Sequence, residues 1–293
     1  LFLLALLIFI SSCSSNIYNK FDDPILVKNI LEVNDSIVKK DPVNLLIQPS
    51  PVNKFLSYPL GLAINNLAND NPDDKFRIWL EKNENRSNRL EKLISNKQID
   101  QLKRYNKSFN DFIKNIGQEP ITINDIDIKK NIERLKRFYD SKGYFDSNIT
   151  YDSIIEFNQL TAKYSVETKE RYLIDSITVN IESKDLDSLY KVNISQSRIK
   201  KGEFFTIDKL VLERDRLIKL FKNNGIYNFQ QRSINYQVLI DSTGNLKKVP
   251  IILNVKNIDQ ETDYQMKKID NINIFVESLD ELSNIDSYTD SIN

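Results

Sequence analysis

An internal repeat is the feature that most constrains how this chain can fold. A single offset aligns residues 135–145 (LKRFYDSKGYF) with residues 217–227 (LIKLFKNNGIY), so that Gly143 falls on Gly225. Chance similarity between two amphipathic helices would explain the matched leucines. It does not explain the shared glycine, the aromatic residues beside it, or the paired strands that follow each helix. The sequence therefore predicts two copies of one structural unit.

Both copies have the same predicted order of elements: strand, helical region, helix, glycine, strand, strand. Apolar residues recur at helical spacing up to Gly143 and up to Gly225, and we predict that each glycine ends its helix in a left-handed turn. Apolar and polar residues alternate along the predicted strands. A small sheet has one apolar face that helices must cover. We therefore predict an α+β fold of tandem β-α-α-β-β units, each a three-stranded mixed sheet packed on two helices.

The pattern also predicts where the units begin and end. Residues 25–171 form the first unit, with a first strand at 25–33 and a long, mostly helical insertion within 42–118. Residues 172–257 form the second unit, and residues 258–293 begin a third that is truncated. The apolar residues that mark an amphipathic run within the insertion are Leu90, Leu93, Ile94, Leu102, Phe109, Phe112 and Ile113.

Composition narrows the range of functions. The 293 residues include 41 Lys+Arg, 41 Asp+Glu and no His. Without an imidazole, Ser-His-Asp and Cys-His catalysis and most zinc sites are excluded. Zero net charge provides no field to concentrate a polyanion, so no nucleic acid is expected as a partner. We predict a binding protein rather than an enzyme, with no catalytic residue, cofactor or metal. A hydrolase that acts through carboxylates would need two of them close together in one pocket, with raised pKa values.

Basic residues are concentrated on the helix that precedes Gly143. We interpret them as a solvated helix face, in preference to a patch for lipid headgroups. The residues concerned are Lys129, Lys130, Arg134, Lys136 and Arg137.

The first residues are typical of a secreted lipoprotein. Residues 1–10 are apolar; they are too few to cross a bilayer, which needs about 20, but they suit the central region of a signal peptide. The only cysteine follows in Ile10-Ser11-Ser12-Cys13, which resembles a bacterial lipobox. The thiol of Cys13 would then carry the lipid and residues 14–24 would be a tether. Ser14, with no Asp beside it, resembles an outer-membrane sorting signal. The alternative is an ordinary signal peptide followed by an unmodified cysteine.

The repeated unit resembles the POTRA domain, which forms the periplasmic arm of the BamA/TamA family of outer-membrane assembly factors. The resemblance covers residues 172–257 and rests on the order of elements and on the Asn-Gly-Ile-Tyr turn after the second helix. The first unit resembles the narrower subfamily of TamL-type lipoproteins. The motifs that carry this second resemblance are Gln48-Pro49-Ser50, Tyr58-Pro59-Leu60-Gly61-Leu62 with Asn66-Leu67, and Gly117-Gln118-Glu119-Pro120.

The resemblance implies a binding site made of strand edges. Members of the family help to insert β-barrel proteins into the outer membrane, and the second strand of a POTRA sheet is implied to lie at an edge where an extended client chain can pair. A neighbouring unit or an insertion that covers both edges is the alternative. The candidate edges are residues 148–155, with Ile149, Tyr151 and Ser153, and residues 232–240, with Ile234, Tyr236 and Val238.

Partners and location follow from the same resemblance. The implied clients are unfolded outer-membrane β-barrel proteins, with an inner-membrane or periplasmic assembly partner. The domains would lie in the periplasm, attached to the outer membrane through a lipid on Cys13 and through a β-barrel beyond residue 293, so that the chain is the N-terminal arm of a longer protein. The alternative is a free-standing scaffold lipoprotein that binds envelope partners. Strands of alternating pattern encoded after residue 293 would favour the arm of a longer protein. A stop codon soon after residue 293 would favour the scaffold lipoprotein.

Overall fold

The computed structural model describes residues 17–39, 42–82, 93, 95–240, 246–257 and 263–273. The chain divides into two compact units. Unit 1 comprises Leu1–Tyr139 and Ser147–Lys169, and unit 2 comprises Asp140–Asp146 and Glu170–Asn293. Among the described residues, no helix is both long and apolar enough to cross a bilayer. The predicted signal peptide with Cys13 and most of the predicted third unit lie outside the described residues.

The described residues of unit 1 include a mixed sheet, four α-helices and a 3₁₀ helix, Pro42–Leu46. In this sheet β1 runs parallel to β4, which pairs antiparallel with β3, and the strand order is β2-β1-β4-β3. The elements are β1 (Ile25–Val33), β2 (Ser36–Ile37), α1 (Leu60–Asn65), α2 (Pro72–Glu81), α3 (Asn96–Ile116), α4 (Asp125–Ser141), β3 (Asn148–Glu156) and β4 (Gln159–Glu167).

The prediction of a three-stranded sheet is wrong for unit 1, whose described residues form a sheet of four strands. The extra strand is β2, which has only two residues and pairs antiparallel with the end of β1. Asn34 and Asp35 between them have φ of 46° and 63°. Both residue types tolerate positive φ, and two such residues in succession form the tight turn of a hairpin. β1 itself has the bounds that the sequence predicted.

Alternating residues of β4 form the centre of the unit 1 core. Leu160, Ala162, Tyr164 and Val166 are buried, as the alternating pattern requires, and the residues between them are half-buried. From α4, Leu135 and Tyr139 are buried as well. The side chain of Asn131 on α4 donates to the hydroxyl of Tyr164 at 2.8 Å, which places this helix over β4.

Unit 2 has the predicted β-α-α-β-β order. Its sheet is mixed, with β5 parallel to β7 and β6 antiparallel to β7, in the order β5-β7-β6. The predicted α+β fold with small mixed sheets is therefore confirmed. The elements are β5 (Leu173–Ile181), α5 (Lys184–Val192), α6 (Ile207–Asn223), β6 (Ile234–Val238) and β7 (Lys248–Val255).

Local side chains fix the ends of the two helices in unit 2. The Ser183 hydroxyl accepts from the backbone of the first turn of α5, and the Thr206 hydroxyl does the same for α6. Such caps satisfy backbone donors that the helix leaves unpaired. The buried faces of the helices then meet the sheet. The core cluster consists of Leu186, Tyr190, Leu217, Phe221, Ile226, Phe229, Ile234, Leu253, Val255 and Tyr264.

The first strand of unit 1 has a local irregularity. Its pairing with β4 shifts register after Leu26. The backbone N–H of Leu26 donates to Ile121 at 2.7 Å, and its carbonyl accepts from Val52 at 3.0 Å. Chain segments far apart in sequence therefore meet at this residue.

Unit 2 repeats this irregularity at Ile174, where the pairing of β5 with β7 also shifts. The N–H of Ile174 donates to Glu203 at 2.8 Å, and its carbonyl accepts from Gly202 at 2.8 Å. These two partners are adjacent in sequence, whereas the partners of Leu26 are separated by residues 53–120. The insertion of unit 1 is thus located between two positions that are neighbours in unit 2.

The glycines that define the repeat have the predicted conformation. Gly143 has φ of +91° and Gly225 has φ of +90°, so both residues lie in the region that favours glycine. The carbonyl of Gly143 accepts from the N–H of Tyr172, and that of Gly225 from the N–H of Lys267, each at 2.9 Å. The prediction that these glycines end their helices is confirmed.

Candidate functional site

The second strand of each sheet lies at an edge. β6 ends the order β5-β7-β6, and β3 ends the order β2-β1-β4-β3. In β6 the side chain of Ile234 is buried and those of Tyr236 and Val238 are half-buried, so these side chains face the core. Asn235 and Gln237 between them are exposed. An added chain would therefore meet the backbone of the predicted residues rather than their side chains.

The register of β6 determines which backbone groups point outward. The N–H groups of Leu239 and Lys256 donate across the β6–β7 pair at 3.1 and 3.0 Å. In an antiparallel pair, residues that bond across the pair alternate with residues that do not. Odd-numbered residues of β6 therefore bond to β7. The residues whose N–H and C=O groups point away from β7 are Ile234, Tyr236 and Val238.

At the edge formed by β3, one outward-pointing backbone N–H group is already hydrogen-bonded. The N–H of Ser153 donates to the side chain of Asp152 at 2.8 Å. It therefore points away from β4, and by alternation so do the N–H groups of Ile149 and Tyr151. Ile149 and Tyr151 are half-buried and Ser153 is exposed. Because a carboxylate already occupies one outward donor, β3 is a less open edge than β6.

The opposite edge of the unit 2 sheet is partly occupied. The outer side of β5 bonds to the segment 202–205: Ile174 bonds to Gly202 and Glu203, and Phe205 donates to the carbonyl of Tyr172 at 3.0 Å. Among the described residues, no backbone hydrogen bond reaches the outer side of β6. β6 is thus the more accessible edge of this sheet.

Polar groups without partners lie behind β6. The Tyr236 hydroxyl and Nε of Arg214 are buried, and neither has a hydrogen-bond partner among the described residues. The Arg214 guanidinium lies 5.6 Å from the centroid of the Tyr236 ring. Burial raises the pKa of Tyr236, and the nearby carboxylate of Glu213 adds to the rise. This strand is therefore anchored by the aromatic ring and not by its hydroxyl.

A buried ion pair on α6 fixes the loop that leads into it. The carboxylate of Glu213, only 1% exposed, accepts from Arg216 at 2.6 and 2.9 Å and from the backbone N–H of Arg198 at 2.7 Å. This bonding raises the pKa of the Arg216 guanidinium. With its charge paired and its oxygens bonded, this carboxylate is structural.

Unit 1 has the same arrangement at the equivalent positions of α4. Asn131 replaces the glutamate; its side-chain oxygen accepts from Arg134 at 2.9 Å and from the backbone N–H of Gln48 at 3.0 Å. The interpretation of Arg134 as part of a solvated face is therefore wrong. The repeat offset pairs Asn131 with Glu213 and Arg134 with Arg216, so the signal for this shared arrangement is present in the sequence.

The described residues contain no group of three or more His, Cys, Asp or Glu side chains placed to hold a metal ion. The candidate binding features are instead the backbone edges of β3 and β6, each in a sheet that packs on a core. Such an arrangement can pair with an extended chain through main-chain hydrogen bonds.

Comparison with known proteins gives a sequence match to an outer-membrane assembly factor. No protein-family model matches the chain. A curated relative, the outer membrane protein assembly factor BamA of Buchnera aphidicola subsp. Acyrthosiphon pisum (strain APS), is 26% identical over 146 residues. The match covers 49% of this chain and 22% of the relative, so the chain corresponds to only part of that protein's length.

Solved structures that match the chain include POTRA domains 3–5 of Haemophilus influenzae BamA, with TM-score 0.29 and 14% identity over 48% of this chain and 52% of that chain. POTRA domains 1–3 of Omp85 from Anabaena give TM-score 0.26 and 13% identity over 82% and 68%. The topology of the two sheets, rather than these superpositions, carries the fold assignment. The class that results is an α+β chain with small mixed sheets, in which unit 2 has the β-α-α-β-β order that the sequence analysis compares with POTRA domains. The sequence match is to one BamA assembly factor, over about half of this chain. The TamL-type subfamily stays a prediction.

Proposed function

We propose that this chain is the periplasmic arm of an outer-membrane protein assembly factor, anchored by a lipid on Cys13, and that it binds unfolded β-barrel clients by strand addition at β6. The sequence similarity to BamA supports the assembly role. Assembly of this kind breaks no covalent bond, which agrees with a chain that has no His.

The observation that carries the proposal is the open edge of β6. Ile234, Tyr236 and Val238 direct alternate N–H and C=O groups away from β7, and no Lys, Pro or side-chain bond blocks them among the described residues of the strand. An unpaired strand edge binds extended chains with little demand on their sequence, because the main chain supplies the bonds. That property suits a set of unrelated unfolded clients.

The test removes one outward donor and keeps the strand. Val238→Pro deletes an N–H that points away from β7, and Val238→Ala is the matched control, which shortens the side chain but keeps the donor. We expect Val238→Pro to reduce cross-linking of a peptide from a β-barrel client several-fold and Val238→Ala to leave it nearly unchanged. Equal cross-linking by the two folded variants would contradict strand addition at this edge.

A further inference from the structure

The insertion of unit 1 exposes an apolar stripe along α3. Large apolar side chains recur at alternating spacings of three and four residues, which places them on one side of the helix. The exposed fractions are 45% for Leu102, 70% for Tyr105, 62% for Phe109, 57% for Phe112 and 54% for Ile116. A contiguous exposed stripe of this kind marks a surface that contacts something other than water.

The opposite side of α3 is the one that packs on the protein. Asn110, 5% exposed, exchanges two hydrogen bonds with the backbone of Asn69, at 2.6 and 2.9 Å. Lys103 and Lys114 lie 3.9 and 3.7 Å from the carboxylates of Asp73 and Asp70. The side that packs carries these polar contacts together with the half-buried Ile99 and Ile113, and the exposed apolar stripe lies on another side of the helix.

The C-terminal end of the stripe lies close to Ile17, from which the chain leads back to Cys13. Ile17, the first described residue, accepts through its carbonyl from the side chain of Asn66 at 3.3 Å. At the end of α3, Gly117 approaches Asn65 so closely that an added Cβ would lie 2.6 Å from the Asn65 nitrogen. Only residues 14–16 separate Ile17 from Cys13, a reach of at most about 14 Å. A lipid on Cys13 would hold this end of α3 near the bilayer surface.

The composition of the stripe suits a bilayer better than a second helix. Three of its five residues are aromatic, whereas the seam of two paired helices uses Leu, Ile and Val. At 100° per residue, the charged residues of α3 all project from other sides of the helix. Aromatic and aliphatic side chains on one side, with charges on the other, are typical of helices that lie in the membrane interface.

We propose that the stripe of α3 rests in the interface of the membrane that holds the lipid anchor, with the helix parallel to the surface. The inference rests on the proposed function for the anchor, but the stripe can be tested without it. The insertion then serves as a second attachment that fixes how unit 1 faces the membrane.

The experiment is a flotation assay with vesicles of phosphatidylethanolamine, prepared either with or without phosphatidylglycerol. The protein begins at residue 14, so it includes every described residue and lacks the lipidated cysteine. The test variant is Phe109→Asp/Phe112→Asp. The control is Ser108→Asp/Asn115→Asp, which adds the same charge to exposed positions of α3 outside the stripe. We expect the unsubstituted chain and the control to float, and the test variant to lose about tenfold in partitioning for each phenylalanine.

The contrary outcomes are distinct. Absence of flotation of the unsubstituted chain, or equal flotation of the two variants, would overturn the proposal. Self-association in sedimentation that is lost in the Phe109→Asp/Phe112→Asp variant, without flotation, would assign the stripe to a second copy of the chain instead. Circular dichroism confirms that the variants are folded. Loss of the lipid on Cys13 would not affect any of these readings, so failure of the anchor and failure of the stripe are distinguishable.

Discussion

Substitution of Gly225 by alanine tests whether the glycines of the repeat are required by a close backbone contact. Gly225 has φ of +90°, and an added Cβ would lie 2.5 Å from the carbonyl oxygen of Lys267 and 3.1 Å from Cγ of Met266. Because the nearest atom belongs to the backbone, a side-chain rotation cannot relieve the overlap. The segment that contains Lys267 must move away.

The cost has two parts. An alanine at positive φ costs about 1–2 kcal/mol. Displacement of the segment gives up the hydrogen bond from the N–H of Lys267 to the carbonyl of Gly225, worth about 0.5–1.5 kcal/mol, and disturbs the packing of the buried Tyr264. We expect a loss of about 2–4 kcal/mol in the free energy of unfolding of unit 2.

Gly202 provides the matched control. It has φ of +84°, but nothing lies within 4 Å of an added Cβ, so Gly202→Ala carries only the conformational part. Urea denaturation would compare the two variants, and hydrogen exchange would follow the amide of Lys267. We expect a larger loss and faster Lys267 exchange only in Gly225→Ala. Equal losses, or unchanged Lys267 exchange, would refute the close-contact explanation.

Three further predictions follow from the same structure. Metabolic labelling with palmitate should be lost in Cys13→Ala, and persistent label would place the lipid elsewhere. Glu213→Leu leaves the guanidinium of Arg216 buried without its partner and should cost about 3–5 kcal/mol in urea denaturation, whereas Glu213→Gln should cost much less, because a neutral amide fills this position in unit 1. Tyr236→Phe removes a buried hydroxyl without a partner and should be neutral or slightly stabilising at pH 7. Because burial raises the pKa of Tyr236, this residue ionises at lower pH in the unfolded chain than in the folded one. The free energy of unfolding therefore falls as the pH rises above the ordinary tyrosine pKa. Urea titrations at alkaline pH should show a smaller fall in Tyr236→Phe.

The repeat and the strands could be predicted from the sequence because their signals are local. The alternation from Leu160 to Val166 indicates a strand, and the glycines at 143 and 225 indicate positive φ, whatever packs around them. The additional strand of unit 1 could not be predicted in the same way, since two residues are too few to show a period. Only the turn residues Asn34 and Asp35 mark it.

The site was predictable in part. The edge position of β3 and β6 came from a resemblance, and periodicity alone does not order the strands of a sheet. The side chain of Asp152 over the N–H of Ser153 depends on a rotamer that sequence does not specify. Likewise, the amphipathic run of the insertion predicts an apolar side on α3, but Leu102 and Phe109 would have the same spacing if that side were buried.

The position of the insertion has a practical consequence for unit 2. Gly202 and Glu203 bond to the carbonyl and the N–H of Ile174. Val52 and Ile121 bond in the same way to Leu26 in unit 1, where the insertion lies between these two partners. Gly202 is exposed, and nothing lies within 4 Å of an added Cβ. A foreign domain with adjacent termini, such as a fluorescent reporter, can therefore be grafted between Gly202 and Glu203, and it would be displayed from the second unit with its strand pairings intact.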